Sequence, residues 1–568
     1  MNLKTLTLLL FTLFIFSEEL FSQDVEKMLH AKPVTLSGTI GMTSIFYNAS
    51  GIPNRYLPFN YVISGSPTLS IYGLQIPVSF VIGKQQNSFT QPFNEFGLSP
   101  TYKWITIHAG YRNVYFSPYT LAGHTFLGGG MELNPGKFRF GFIYGRFNKA
   151  TILDTAQNLY FLNFSYKRTG LSFRLGYGTE NNHFDLIGLH AKDDPGSLKI
   201  SKGLTDSSGI APAENSVVGY SMRFSFLKNH LIFESNGAVS LYTNDVNSPR
   251  LVDSNYDKSL HQINQLAAVR TSSEAYSAVD ASVRYKTRDF SVKIQYRRVD
   301  PGFQSMGAYF LNNDLENFTI APTFLAWKRK LRFSGSLGIQ RDDLTNQKRA
   351  KANKVIGSAN LSADFSDRLG IDGSYSNYSV NQTVKTIRFA DSLKVVQSSA
   401  QLSVTPRYTI PGVDISHMII LSANLSKARE LNPMRADSLN GDINTYNYLL
   451  NYQLNFIPQL ASVFISFNHT ELQSSIITDE NNGVTLGISK ALLKSKLNFS
   501  VSGGYLFNKR NEEKGKILTG SLQCRYLFYG RHQLRVSAYY TGSTPDHPSL
   551  IYPKYTETRT EIGYGFSF

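Results

Sequence analysis

From about Val34 to the last residue, apolar and polar positions alternate in runs of ten to fifteen residues. A period of two is the signature of a strand that presents one apolar and one polar face. In "YNYLLNYQLNF", Tyr446, Tyr448, Leu450, Tyr452, Leu454 and Phe456 share one face, and Asn447, Asn451, Gln453 and Asn455 share the other. A tight "IPQ" turn follows, and "ASVFISFN" repeats the pattern with Ala461, Val463, Ile465 and Phe467 on the apolar side. The same alternation marks "SSAQLSVTPRY", "SVKIQYRR", "KLRFSGSLGIQ", "GSLQCRYLF" and "HQLRVSAYY". About 26 to 28 such runs fit between residues 34 and 568.

The links between runs alternate in length. Short ones lie around Lys228-Asn229, Thr287-Arg288, Lys328-Arg329-Lys330, Asp367 and Gly530, and longer polar ones lie between them, the longest at about 244–278. Short turns at one end and long loops at the other are the plan of a meandering transmembrane barrel. Two dozen apolar stripes have no second sheet in the sequence to cover them, so lipid is the simplest cover. A closed sheet then pairs every backbone N–H and C=O without leaving an edge in the bilayer. The expected fold is therefore all-β: one large antiparallel transmembrane β-barrel over 34–568, closed by pairing "VTLSGTIGMTSIFY" with "TRTEIGYGFSF".

Composition agrees with this picture. Charged residues make up 17% of the chain, below the roughly 25% usual for soluble proteins. Tyrosine (33) and phenylalanine (39) are abundant, yet no stretch after residue 22 approaches the roughly 18 apolar residues of a spanning helix. The N-terminus differs: Lys4, an apolar core from Leu6 to Phe16 and a polar end give residues 1–22 the plan of a secretory signal peptide, cut after Ser22. Residues 23–33 are left as a short periplasmic segment. Cys524 is the only cysteine, which excludes an internal disulfide and a lipid-bearing cysteine near the cleavage site. Net charge is +16, and removal of Lys4, Glu18 and Glu19 raises it to +17.

The terminal stripe Ile562, Tyr564, Phe566 and Phe568 in "EIGYGFSF" resembles the C-terminal signature of Gram-negative outer-membrane β-barrel proteins. The resemblance implies a location in the outer membrane, both termini in the periplasm, and recognition of this last strand by the barrel-assembly machinery. Partners implied with it are outer-membrane lipid and membrane-protein or lipoprotein subunits, with no nucleic acid. The "FSQ" ending of the signal and the basic balance resemble proteins of the Bacteroidota phylum. Two runs, 117–147 and 298–317, read as a subfamily fingerprint without an attached function.

Parity assigns charges to faces. Arg112 (with His108), Arg174, Arg223, Arg284 (with Lys286), Lys293, Arg297, Arg332, Arg525 and Arg535 all oppose apolar residues and are expected in the lumen; few acids, Glu132 and Glu561 among them, share those faces. A charge on the lipid face at mid-membrane costs roughly 2–4 kcal/mol, so the sorting is compelled, but its sign is not. A luminal excess of cations points to anionic solutes, as in anion pores. Alternatively, each arginine only bridges strands or anchors a loop.

A barrel of this size must be filled by something, since about 22 strands already enclose a plug. Segment 244–278 is the first internal candidate, with Leu260, Ile263, Leu266 and Ala267 at helical spacing after Asp257, and it reads equally as a solvent-exposed extracellular loop; loops 114–123 and 300–314 are lesser candidates. Gly128–Gly130 marks a sharp bend, a close backbone contact or, as often in a barrel strand, mere curvature. Only about eleven residues separate the signal from the first strand, which leaves no room for a folded plug domain or periplasmic repeats. P-loop, HExxH and GxSxG motifs and cysteine–histidine metal spacings are absent, so neither catalysis nor a cofactor is expected. Two readings remain: a loop-occluded pore or transporter with a basic lumen for anionic or bulky solutes, and a non-conducting structural subunit of an outer-membrane assembly or secretion complex.

Overall fold

The alternating runs pair, each with its sequence neighbours and always antiparallel, into one sheet that closes on itself. This computed structural model describes residues 34–84, 95–150, 165–198, 211–251, 268–342, 344, 353–382, 395–430, 442–550 and 552–568. Closure joins the first and last strands as expected: Thr39–Ser50 pairs with Tyr555–Ser567 in a register running from Thr39↔Ser567 to Ser50↔Thr556. Gly38 and Phe568 exchange both backbone hydrogen bonds at 3.1 Å, so the terminal residue is the last rung of the seam.

The 29 strand runs make 26 wall strands, because three wall strands are interrupted at 38, 66–67 and 99–100. The interruptions adjoin one another across the sheet: Val78 N donates to Pro67 O (2.8 Å), Ser99 N to Pro77 O (3.0 Å) and Ile107 N to Pro100 O (2.9 Å). Proline brings no N–H to the ladder, so a row of prolines creases the sheet where the wall passes the level of Phe568. Beyond the crease Val34–Ser37 and Thr68–Ile71 stay paired.

Turns at the end carrying residues 34 and 568 never exceed four residues, and those anticipated from sequence fall there, at 227–230, 287–289, 327–330, 365–368 and 529–531. Three of these turns share one geometry. Leu227-Lys228-Asn229, Trp327-Lys328-Arg329 and Leu493-Lys494-Ser495 all have φ between 49° and 70°. In each, the next N–H returns to the first carbonyl at 3.0–3.2 Å. Left-handed turns match the right-handed twist of the flanking strands, although each non-glycine residue there costs on the order of 1 kcal/mol. Links at the opposite end run from 511–512 to 244–272.

The outer face is the apolar one. Phe142, Tyr144, Phe173, Leu175, Leu337, Ile339, Leu486 and Ile488 are all exposed, as are Ile562 and Tyr564 of the final stripe. An uninterrupted band of such side chains is incompatible with water and suits hydrocarbon.

Candidate functional site

One patch of the inner wall carries apolar residues where an open lumen would place polar ones. In "HFDLIGLHAKD", Phe184 and Leu186 face outward, yet Ile187 and Leu189 on the other parity are also apolar, and both are buried. Val217, Ala238 and Ala278 continue that inner patch over the next three strands, and Ile143 and Phe147 extend it the other way. What covers it comes from the loops. Residues 116–121 and 300–314 turn inward and pack Phe116, Tyr119, Leu121 and Phe303 onto these wall residues in one buried cluster. Tyr119 and Phe303 meet edge to face, 5.9 Å between ring centroids. Burial pushes the Tyr119 phenol up to about 12.

Polar latches fix the loops in place. Asn215, fully buried on Glu214–Phe226, accepts from Met306 N (2.9 Å) and donates to Ser240 Oγ (2.8 Å) and Leu241 O (3.1 Å). Ser240 Oγ in turn donates to Gln304 O at 2.6 Å. The loops also hold each other: Ser305 Oγ donates to Thr120 O (2.6 Å) and Ala122 N to Gly307 O (2.9 Å). Asp300 opens the second loop and accepts from Ser277 N, Ser277 Oγ and Arg298 Nε at 2.9, 2.5 and 3.2 Å. Burial opposes its charge, but the Ser277 and Arg298 hydrogen bonds prevail and hold its carboxyl below the usual value. His124 lies between the Tyr309 and Phe147 rings, with centroids 4.2 and 5.3 Å away.

Thus the fingerprint runs 117–147 and 298–317, far apart in sequence, are two sides of one luminal core. Small residues make the fit. The Phe116 ring lies 2.6 Å from where a Cβ on Gly141 would stand, and a Cβ on Gly128 would fall 2.1 Å from Tyr144 O. Gly128 therefore serves the close-contact option, against the neighbouring strand. The two loops expected as lesser plug candidates thus carry a luminal core, while residues 252–267 of the first candidate lie outside the described residues. Strand Ser273–Lys286 begins inside the segment expected as the longest link, which shortens to 244–272 because Ser273–Ala278 pairs with Thr243–Ala238. The helix expected after Asp257 lies outside the described residues, as do the signal peptide and residues 23–33.

The seven cations assigned to the basic lumen do not act alike. Arg112 donates from Nε to Ser99 Oγ and from Nη1 to Ser79 Oγ, both at 2.7 Å, tying neighbouring wall strands together. Arg174 pairs with Glu132 at 2.8 Å, Arg223 with Glu234 at 2.6 Å and Arg332 with Asp364 at 3.4 Å. Arg297 sits across the ladder from Asp280. Arg284 and Lys293 instead stand directly opposite each other, and among the described residues no carboxylate pairs with either within 4 Å. Sequence parity missed most of the acids. Asp185 and Asp193 form two-point pairs with Arg139 and Arg168 at 2.8–3.1 Å, so the expectation of few acids on these faces fails. The wall from Ile443 to Pro545 is lined largely by amides and hydroxyls, with Asn451 bonded to Ser466, Asn447 to Thr470 and Ser502 to Ser521 at 2.6–3.0 Å. Its charges include the pair Arg510–Asp479 near the loop end and the expected luminal cations Arg525 and Arg535, which stand directly opposite each other with no carboxylate partner among the described residues.

At the C-terminus, the Tyr564 hydroxyl lies 2.7 Å from His532 Nδ1, and the His532 ring contacts Phe566, which contacts Phe568 at 5.4 Å. Ile562, Tyr564, Phe566 and Phe568 thus form one outward stripe at the seam.

No protein-family model and no curated protein matches the chain. Solved structures similar to it are outer-membrane barrels. The translocation pore of the P pilus usher PapC is 10% identical, covers 94% of this chain and 99% of its own, and superposes with a TM-score of 0.39. Pseudomonas aeruginosa OccK1 (OpdK) is 10% identical over 63% of this chain and 93% of its own, with a TM-score of 0.31. Acinetobacter baumannii OccAB2 is 10% identical, with the same coverages and a TM-score of 0.30.

Proposed function

We propose that this chain is a channel of the Gram-negative outer membrane, with its termini and short turns in the periplasm. In this reading polar solutes pass along a lumen narrowed by the two inward loops. The observation that carries it is the division of the lumen. Loops 116–121 and 300–314 are latched to the wall around Glu214–Phe226, whereas the wall from Ile443 to Pro545 presents half-exposed amides and hydroxyls suited to a water-lined path.

Anion preference in this reading is modest. Most luminal arginines have a carboxylate partner, which leaves two directly facing cation pairs, Arg284 with Lys293 and Arg525 with Arg535, as the principal charge without a carboxylate partner among the described residues. Insertion by the barrel-assembly machinery through Ile562, Tyr564, Phe566 and Phe568 belongs to the same proposal. Single-channel recording in planar bilayers tests it. Stable current with a reversal potential favouring anions is expected. A silent barrel that co-purifies with defined partners overturns it and favours the structural subunit of an assembly or secretion complex.

A further inference from the structure

A second concavity lies at the loop end of the lumen, beside the closing seam, away from the Arg284–Lys293 pair. Its floor is luminal: Asp479, Asn481, Asn508 and Arg510 come from the two strands Thr478–Leu492 and Leu497–Arg510. Its roof comes from Leu550, Tyr552 and Pro553, and Tyr552 is buried and bonds through its hydroxyl to Asn508 Oδ1. Arg55 reaches in from the link 51–58. The space is about 480 Å³, within the range of small-molecule sites.

The hydrogen-bond inventory indicates what would fit. The Asp479 carboxylate is fully engaged: Oδ2 accepts from Arg510 Nε and Nη2 (3.0 and 2.8 Å), and Oδ1 accepts from Asn508 and Asn481 (2.6 and 3.0 Å). The donors have capacity left. Arg510 uses Nε and Nη2 on Asp479, which leaves Nη1. Arg55 gives one Nη1 hydrogen to Glu557 at 3.2 Å and keeps the rest of its fork, and its side chain is 56% exposed. Each guanidinium is steadied by an aromatic ring, Arg55 over Tyr555 and Arg510 over Tyr552, both 5.4 Å from the centroid. Each cation already faces one carboxylate, Arg510 with Asp479 and Arg55 with Glu557 just outside the lining, and both carboxylates are engaged, Glu557 also accepting from the Tyr47 hydroxyl; what the pocket has to spare is donors. A planar fork with free N–H groups matches the geometry of a carboxylate or phosphate.

We propose that this pocket binds the oxyanion of a small carboxylated or phosphorylated solute, of about monosaccharide size, between Arg55 and Arg510. It extends the channel reading by placing a capture site at the pore mouth, but binding there does not require conduction. Isothermal titration calorimetry on the full-length barrel in detergent tests it, with sodium phosphate, sodium glucuronate and glucose as probes. Saturable heat from glucuronate or phosphate, and none from glucose, is expected; which anion binds identifies a carboxylate or a phosphate as the ligand. Arg55→Gln should weaken binding on the order of tenfold. Leu550→Glu, at a fully exposed side chain on the rim, should weaken it without disturbing packing. Glucose binding as well as glucuronate, no heat from either anion, or heats unchanged in both variants would overturn the proposal. A barrel that binds the anions but carries no current would defeat the channel reading and leave this one standing.

Discussion

Asn215 is where the luminal core is most exposed to a single change. Its side chain is fully buried and serves three partners, one of them the Met306 amide of the inward loop. Asn215→Ala removes all three bonds, but only the one from Met306 N joins wall to loop; Ser240 and Leu241 belong to the neighbouring wall strand. A buried group left unsatisfied costs about 1–3 kcal/mol, and in the docked loop that group is the Met306 N–H, so about 2 kcal/mol is the working figure. The strand ladder on either side of Asn215 is backbone-paired and unaffected. At about 1.4 kcal/mol per factor of ten, this raises the undocked population of 300–314 by roughly thirtyfold. Hydrogen exchange resolves this directly. Amides at 303–308 should exchange about thirty times faster in Asn215→Ala, while those of Ile443–Phe456 keep their rates. Single-channel current should rise or become noisier in the same variant. Equal exchange at 303–308 in both proteins would show that the latch is not what holds the loop and would refute the reasoning.

Other tests follow from separate features. Arg284→Ser combined with Lys293→Ser should shift the reversal potential toward cations by several-fold in permeability ratio, and should also raise stability by a few tenths of a kcal/mol, because like charges directly opposite repel. Asp300 carries a depressed carboxyl, so its contribution is present above the ordinary value of 3.8 and is lost as pH falls through its lower folded value; protease cleavage within 300–314 should increase below about pH 4. Lys328→Gly should stabilise the barrel by about 1 kcal/mol in urea, because glycine accepts the left-handed backbone at φ 54° that lysine adopts at a cost. Deleting Phe568 removes a seam rung and the end of the aromatic stripe; it should lower the amount of heat-modifiable barrel in membranes, and normal levels would refute its assembly role.

How far the sequence could be read depended on which physics wrote it. A wall strand in lipid must alternate, so the barrel, its seam and its terminal stripe were visible in residues such as Tyr564 and Phe566. The short turns were located by where alternation stopped, but their left-handed geometry was hidden. Lys228, Lys328 and Lys494 stand where glycine or asparagine would announce such a turn, and strand twist overrides their preference. Luminal charge was half legible: parity gives the face of Arg174, but only the strand register shows that Glu132 is within reach. The core inside the lumen left a fainter trace, the loss of alternation at Ile187 and Leu189. Apolar residues on both faces of one strand mean that both faces are covered, outside by lipid and inside by protein. By that rule "DLIGLHA" already calls for an inward element, and the fingerprint runs 117–147 and 298–317 supply Phe- and Tyr-bearing loops that meet the demand. The fingerprint is therefore a packing constraint before it is a functional one: two loops and a wall patch must change together, which is why Asn215 and Phe303 are the residues where the pore reading is most readily tested.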